Sequence, residues 1–191
     1  MGETVNIHQI RDLALRRKRA VYSTQQLANL VGKPAAVARV YAARLVKSGL
    51  AQRVMNGKIS FSTDEKVIAT QMIEPAYISL YFALLFHQVI QQVPKEMGCL
   101  TPKASRKMGE LGIHYHKVPP SLMFGFKQYD SDKTYFWLAD PEKALLDTLY
   151  LNQISESWAN EILSNKLNRK KFNQYFKRFP PRFQKKWKGR L

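Results

Sequence analysis

Three groups of residues carry side chains that could do chemistry. The run Asp140-Pro141-Glu142-Lys143 sets two carboxylates and an amine within four positions. Those are the residue types with which a metal-dependent nuclease holds Mg²⁺ and activates water. The same run is what a helix start requires: an Asp cap, a Pro in the first turn where its missing N–H is not needed, and an acid at the positive end of the dipole. That second reading accounts for each residue in its place, so a helix N-terminus is expected here. His114 and His116 alternate across Tyr115, so on a strand their rings share a face and could bind a metal. No nearby Cys or third His completes a site, with His87 read as a core or interface residue, and no metal is expected. Cys99, the one cysteine, is read as a small buried hydrophobe rather than a nucleophile, and no disulfide is possible within the chain. There is no Gly-rich phosphate loop and no nucleophile elbow. Neither catalysis nor a cofactor is expected.

Charge says more than catalytic chemistry does. The chain has 191 residues, 31 Lys and Arg against 14 Asp and Glu, and a net charge of +17. A hydrophobic fraction of 45% excludes a disordered basic tail, so the chain folds. The charge is segregated. Residues 1–63 hold eleven basic and two acidic residues, residues 64–164 nine and twelve, and residues 165–191 eleven and none. Two cationic ends (+9 and +11) flank a mildly acidic middle (−3), and segregation of this kind points at a polyanion.

The elements that must carry the first cluster are readable. Residues 7–19 place Ile7, Ile10, Leu13 and Ala14 at helical spacing and end in the basic run Arg16-Arg17-Lys18-Arg19. Ser23 with Gln26 three residues on is a capping box for a second helix, which Gly32 ends. Pro34 in the first turn opens a third, with Val37, Tyr41 and Leu45 as its buried stripe, Lys33, Ala36, Arg39, Val40, Ala43 and Lys47 on or near the opposite face, and Gly49 at its end. Asn56-Gly57 then marks a two-residue hairpin. Helix, turn, helix and basic hairpin together predict a winged helix-turn-helix. In a major groove, small side chains at Ala35, Ala36 and Ala38 would let the backbone approach base edges, and Arg39 is the expected base reader. Lys33 and Arg44 would meet phosphate or base. The amides near Ser23 and Thr24 would suit a phosphate, and Arg53, Asn56 and Lys58 would set the wing against the duplex.

Residues 64–74 change composition without Gly or Ser enrichment and read as a structured connector. Residues 77–90 are apolar almost all round, as a central core helix would be. At thirteen residues, with His87 and Gln88 inside it, the run 78–90 is too short to span a bilayer. Residues 97–101, 112–117, 122–129 and 134–139 read as four short strands of a mostly antiparallel sheet, with 105–109 as a turn. Helices follow from Asp140 to Leu151 and from Trp158 to Leu167. In the last segment Leu167, Phe172, Phe176 and Phe179 share one helical face ringed by cations, and Pro180-Pro181 ends that helix. Two readings of this tail stay open. Either the Phe face docks on the middle domain and the cations are solvated, or Lys170, Lys171, Lys177, Arg178, Lys185 and Lys186 extend a nucleic-acid footprint with Trp187 free to stack.

The middle of the chain resembles the AbiEi family, the antitoxin half of type IV, abortive-infection toxin–antitoxin operons. The resemblance lies in Tyr77-Ile78-Ser79-Leu80 leading to Ala83-Leu84 and His87, in Thr101-Pro102-Lys103, in Pro120-Ser121-Leu122 with Phe124-Gly125, and in Ala139-Asp140-Pro141-Glu142-Lys143-Ala144-Leu145-Leu146-Asp147 ending in Leu149-Tyr150-Leu151. With the N-terminal segment it covers about residues 7–155, and the last 25 or so residues depart from it. It implies a repressor that binds inverted repeats in its own promoter. It also implies an antitoxin that counteracts a nucleotidyltransferase toxin without needing a stable complex with it.

The expected architecture is therefore α+β: a winged helix-turn-helix over 1–63, a connector over 64–74, an AbiEi-like domain of a small mostly antiparallel sheet with flanking helices over 75–164, and a basic helical tail over 165–191. The expected partner is double-stranded promoter DNA, with the oligomeric state open and a homodimer suited to paired half-sites. No membrane partner is expected. The first residues show no basic region leading into an apolar stretch, so no secretory signal is read and a cytoplasmic location is expected. The alternative is a winged-helix protein that binds DNA or RNA in a role unrelated to toxin neutralisation.

Overall fold

Side-chain caps at Asn6, Ser23, Asp64, Ser155 and Asn168 start helices, and the computed structural model, which describes residues 6–191, groups the elements into two units. The first takes in residues up to Glu74 with Gln128–Phe136, the second Pro75–Lys127 and Trp137–Leu191. Together they are α+β, with two separate sheets.

In the first unit, Asn6 and Gln9 form a capping box that opens α1 (Ile7–Arg16). The helix stops three residues before the expected end because Lys18 takes a left-handed φ of +54°. That reversal frees Arg19, whose Nε donates to the Val21 carbonyl at 2.7 Å and whose guanidinium pairs with Glu74. β1 (Val21–Ser23) follows, a strand with no separate signal in the sequence. Ser23 caps α2 (Thr24–Val31) with Gln26 as its box partner, and Gly32 at φ +62° ends it. α3 (Ala35–Lys47) begins one residue later than expected, with Pro34 at the cap rather than in the first turn. β2 (Gln52–Met55) and β3 (Lys58–Ser60) close the hairpin at Asn56-Gly57, with Gly57 at φ +72°. β3 is central, in the order β1-β3-β2, antiparallel to both neighbours.

The core of this unit joins Ile10, Ala14, Tyr22, Leu27, Leu30, Ala38, Tyr41, Leu45 and Ile59. Each large aliphatic buried there contributes about 1.5–3 kcal/mol. The expected stripe of α3 is corrected at one position. Ala38, not Val37, joins Tyr41 and Leu45 inside, and Val37 is 38% exposed. Positions 38, 41 and 45 step by three and four, and a methyl at 38 suits the close packing of α2 on α3. Residues 64–74 hold α4 (Glu65–Met72), whose Val67, Ile68, Ala69 and Met72 are buried. Its Gln71 ties the unit together: Oε1 accepts the N–H groups of Ala20 and Val21 at 2.8 and 3.2 Å, and Nε2 donates to Thr134 Oγ1 at 3.0 Å.

The second unit contains β4 (Tyr77–Ile78), α5 (Leu80–Phe86), β5 (Met97–Thr101), β6 (Arg106–Met108), β7 (Ile113–Lys117), β8 (Phe126–Ser131), β9 (Thr134–Ala139), α6 (Pro141–Tyr150), α7 (Glu156–Lys166), α8 (Arg169–Phe176) and α9 (Pro181–Trp187). The outer part of the β8–β9 hairpin is counted with the first unit. Sheet order is β6-β7-β5-β4-β9-β8.

Two expectations fail here. Residues 77–90 are not one helix: Tyr77 and Ile78 form a fully buried strand and α5 has seven residues. An apolar run without a period fits a buried strand as well as a buried helix. The sheet is mixed rather than mostly antiparallel, with β5 parallel to β7 over five residue pairs and β4 parallel to β9. The cause lies in residues 105–109, read as a turn, which hold β6. The chain turns back after β6 through Gly109–Leu111 and Gly112 at φ +60°, and β7 then inserts between β6 and β5, so it must run with β5. No described helix is long and apolar enough to cross a membrane.

Candidate functional site

The outward face of α3 is basic. Ala36, Arg39, Ala43, Arg44 and Lys47 are exposed, and Val40 is 50% exposed between them. Ala35 is half-buried. Ala38 is fully buried, which removes it from the small-residue surface expected to approach a ligand. Beside α3 lies a cleft of about 250 Å³ that gathers Ser23, Thr24, Arg39, Arg53, Asn56 and Lys58. Tertiary folding thus brings together expected residues from three segments of chain. Lys33, Ala35, Ala36 and Arg44 lie outside the cleft. Arg39, Arg44 and Arg53 form no ion pair among the described residues, whereas Arg19 is neutralised by Glu74 and Lys66 by Asp64. Unneutralised guanidinium groups leave a positive field for an incoming anion.

Three expected contacts are already committed. The Ser23 N–H donates to Gln26 Oε1 at 2.8 Å, and the Thr24 N–H donates to the Gly57 carbonyl at 2.9 Å. These amides were expected to hold a phosphate. They are consumed by the capping box and by the hairpin closing on α2. The Lys58 ammonium donates to the Met72 carbonyl. Val40 is exposed as its helical position implied, whereas the exposure of Val37 had no distinct sequence signal, because adjacent helical positions differ by only 100° and either edge of the stripe could have faced inward.

The Asp140 run behaves differently from its sequence reading. Asp140 holds the N-cap position and Pro141 the first turn of α6, but the Asp140 side chain makes no capping bond. Its Oδ2 accepts the Tyr175 hydroxyl at 2.8 Å and lies 3.0 Å from Lys171 Nζ. Burial and this carboxylate push the Tyr175 phenol up to about 12. Glu142 Oε1 accepts the Asn168 N–H at 3.1 Å, while Oε2 has no hydrogen bond and lies 3.5 Å from Lys171 Nζ. Sequence signals for these contacts were absent, since the partners lie some thirty positions downstream.

Lys143 and Asp147 form an ion pair of which neither side chain is exposed at all. Lys143 Nζ also donates to Tyr77 Oη at 2.8 Å, and Asp147 Oδ2 accepts from Ser79 Oγ at 2.7 Å and Tyr77 Oη at 3.1 Å. The ammonium sits 4.9, 5.0 and 5.3 Å from the ring centres of Phe124, Phe179 and Tyr77. Burial lowers the affinity of Lys143 for its proton and raises that of Asp147, each opposed by the other's charge. Burial, then Asp147, pushes Tyr77 well above its ordinary range. With no solvent access, this cluster fastens α6 to β4.

His114 and His116 share a face as expected, with ring centres 4.0 Å apart. They line an open cleft of about 690 Å³ with Tyr81, Trp158, Glu96 and Lys107. Half-burial lowers His116 to about 4, and His114 adds to the effect. Glu96, held down by Lys107, lies 3.5 Å from His114 Nδ1. Among the described residues no three His, Cys, Asp or Glu side chains are arranged to hold a metal ion. Cys99 is buried and its thiol is raised by that burial.

In the tail, Trp187 is not available to stack: it is 6% exposed and packs beside Phe183. Arg178 lies 3.6 Å over the Phe124 ring, and Lys186 donates to Asn152 Oδ1 at 2.7 Å. Lys170, Lys177 and Lys185 are exposed. The final segment is also more than one helix with an extension, because α9 follows Pro180 as a helix of its own. No family model matches the chain, and no curated protein matches it.

Proposed function

We propose that this protein is a sequence-specific DNA-binding autorepressor that serves as the antitoxin of a type IV toxin–antitoxin pair, with α1–α3 and β1–β3 acting as a winged helix-turn-helix. The observation that carries the DNA reading is the set of three guanidinium groups, Arg39, Arg44 and Arg53, exposed on and beside α3 with no ion-pair partner among the described residues. An α-helix fits the major groove, and the small exposed residues Ala36 and Ala43 permit close approach. Arg39 reads a base edge, worth about 1–3 kcal/mol of discrimination if bidentate to guanine. Arg53 and Asn56, at the β2–β3 hairpin, meet the backbone. A homodimer would match inverted repeats.

The antitoxin part rests on the AbiEi resemblance. Its motif residues Tyr77, Ser79, Lys143 and Asp147, far apart in sequence, meet in one buried cluster, which supports reading those motifs as a single folding signature. The partner is then a nucleotidyltransferase toxin, opposed without a stable complex, and the protein acts by binding, without a cofactor, in the cytoplasm. A gel shift with the gene's own upstream region tests repression: a specific shift that Arg39→Ala removes supports the reading, and one that Arg39→Ala leaves intact overturns α3 as the reader. Co-expression with a neighbouring nucleotidyltransferase gene tests antitoxicity, and failure of the full-length protein to restore growth would refute it.

A further inference from the structure

The eleven cations of residues 165–191 have no acid among them, and the aromatic residues beside them are used for packing. Phe172, Phe179, Phe183 and Trp187 are buried. Phe176 stacks on Phe172, and Tyr175 bonds Asp140. A single-strand binder presents exposed rings on which bases stack, and a membrane-surface helix keeps an apolar face free. Neither requirement is met here. The exposed large hydrophobic residues among those described, Val37, Val40, Phe86 and Val93, all lie outside the segment.

The outward surface is left to cations and a few amides, Asn168, Asn173 and Gln174 among them. On α8, Lys170 stands about 200° around the helix from buried Phe172, and on α9, Lys185 stands about 200° from buried Phe183. Arg169, Lys170, Lys177, Arg182, Lys185 and Lys188 are exposed and form no ion pair among the described residues. A surface dominated by cations and N–H donors, without carboxylate side chains, suits a ligand that presents phosphate oxygens at regular spacing.

We propose that the α8–α9 surface is a sequence-independent contact for the phosphate backbone of duplex DNA. The choice of DNA rests on the function proposed above, while the preference for a duplex rests on the buried rings. Base reading and backbone grip are thereby divided between the two units.

The test uses the full-length chain and a Lys170→Gln, Lys177→Gln, Lys185→Gln variant, whose changes all lie at exposed positions. Affinity is measured across about 50–200 mM salt for the upstream duplex and for an unrelated duplex. Losing three phosphate contacts lowers the slope of log affinity against log salt by about 2.7, at 0.9 per contact, equally on both duplexes. An unchanged slope on duplexes overturns the proposal, as does a loss seen only with a single-stranded oligonucleotide or with anionic lipid vesicles. If the wild type shows no preference for the upstream duplex but the variant still lowers the slope on both, the repressor reading fails and this surface stands. If Arg39→Ala removes the preference while the triple variant changes nothing, the repressor reading stands and this surface fails.

Discussion

Lys143→Met isolates the buried cluster of the second unit. It keeps the length of the aliphatic stem that packs against Gly125 and deletes only the ammonium. Asp147 is then left with no exposure and no countercharge, with the Ser79 and Tyr77 hydroxyls as its remaining donors. Removing one member of a buried pair costs about 3–5 kcal/mol. For a unit of this size that is roughly 12–20 °C of melting temperature, at about 4 °C per kcal/mol. Trp137, Trp158 and Trp187, the three tryptophans of the chain, all lie in the second unit, so their fluorescence during urea unfolding reports this unit selectively. The double variant Lys143→Met, Asp147→Leu removes both charges. Well-packed apolar replacements of buried pairs are often neutral or better, but here Ser79 and Tyr77 lose an acceptor, at about 1–3 kcal/mol for an unpaired buried group. The double variant is therefore expected to be less destabilised than the sum of the two single variants by at least about 2 kcal/mol. A Lys143→Met variant within about 1 kcal/mol of wild type, or single costs that add in the double, would refute a coupled ion pair at this position.

Other substitutions test separate features. Gly125→Ala forces a side chain at φ +70° and sets its Cβ 3.0 Å from the Lys143 stem, so a loss of at least about 2 kcal/mol is expected in the same fluorescence assay. His116 has a folded pKa of about 4, below the ordinary histidine value, so unfolding takes up a proton between those two limits. Its contribution is complete above about pH 6.5 and declines as pH falls toward 4. The ring is only half-buried, so screening limits the loss at pH 5 to about 1 kcal/mol, and His116→Gln should flatten that slope. NMR titration of the ring should give a midpoint near 4, and a midpoint near 6.5 would contradict its burial. On α3, Ala38→Leu should cost about 1–3 kcal/mol by overpacking against α2, and Val37→Ala should stay within about 0.5 kcal/mol, both followed by circular dichroism. The reverse ranking would restore Val37 to the core.

The local features were legible because they depend on a few adjacent residues. The capping box of Ser23 and Gln26, the left-handed Gly32 and Gly49, and the turn at Asn56-Gly57 each fix a backbone conformation within about four positions. The basic residues of α3 were also readable, since helical spacing places Arg39 and Lys47 away from Tyr41 and Leu45. Less legible was the edge of that stripe, where Ala38 and Val37 exchange roles. The α6 start was read correctly as backbone, yet the Asp140 carboxylate serves Tyr175 and Lys171 rather than its own helix.

The sequence by itself determined where the charge lies, which segments turn, and the first three helices of the N-terminal unit, because composition and short-range backbone preference are properties of the chain; the connector's helix α4 was not read from it. Tertiary structure alone decided that Lys143 is buried, that Trp187 and the tail phenylalanines face inward, and that β7 runs parallel to β5. A lysine in sequence reads as surface. Its burial is tolerable only where Asp147, Ser79 and Tyr77 satisfy it and Phe124 and Phe179 exclude water, and those partners arrive from four separate elements and loops. Strand direction likewise depends on where β6 and β7 find open sheet edges, a choice made by hydrogen bonding across the fold rather than by any residue in the strands themselves.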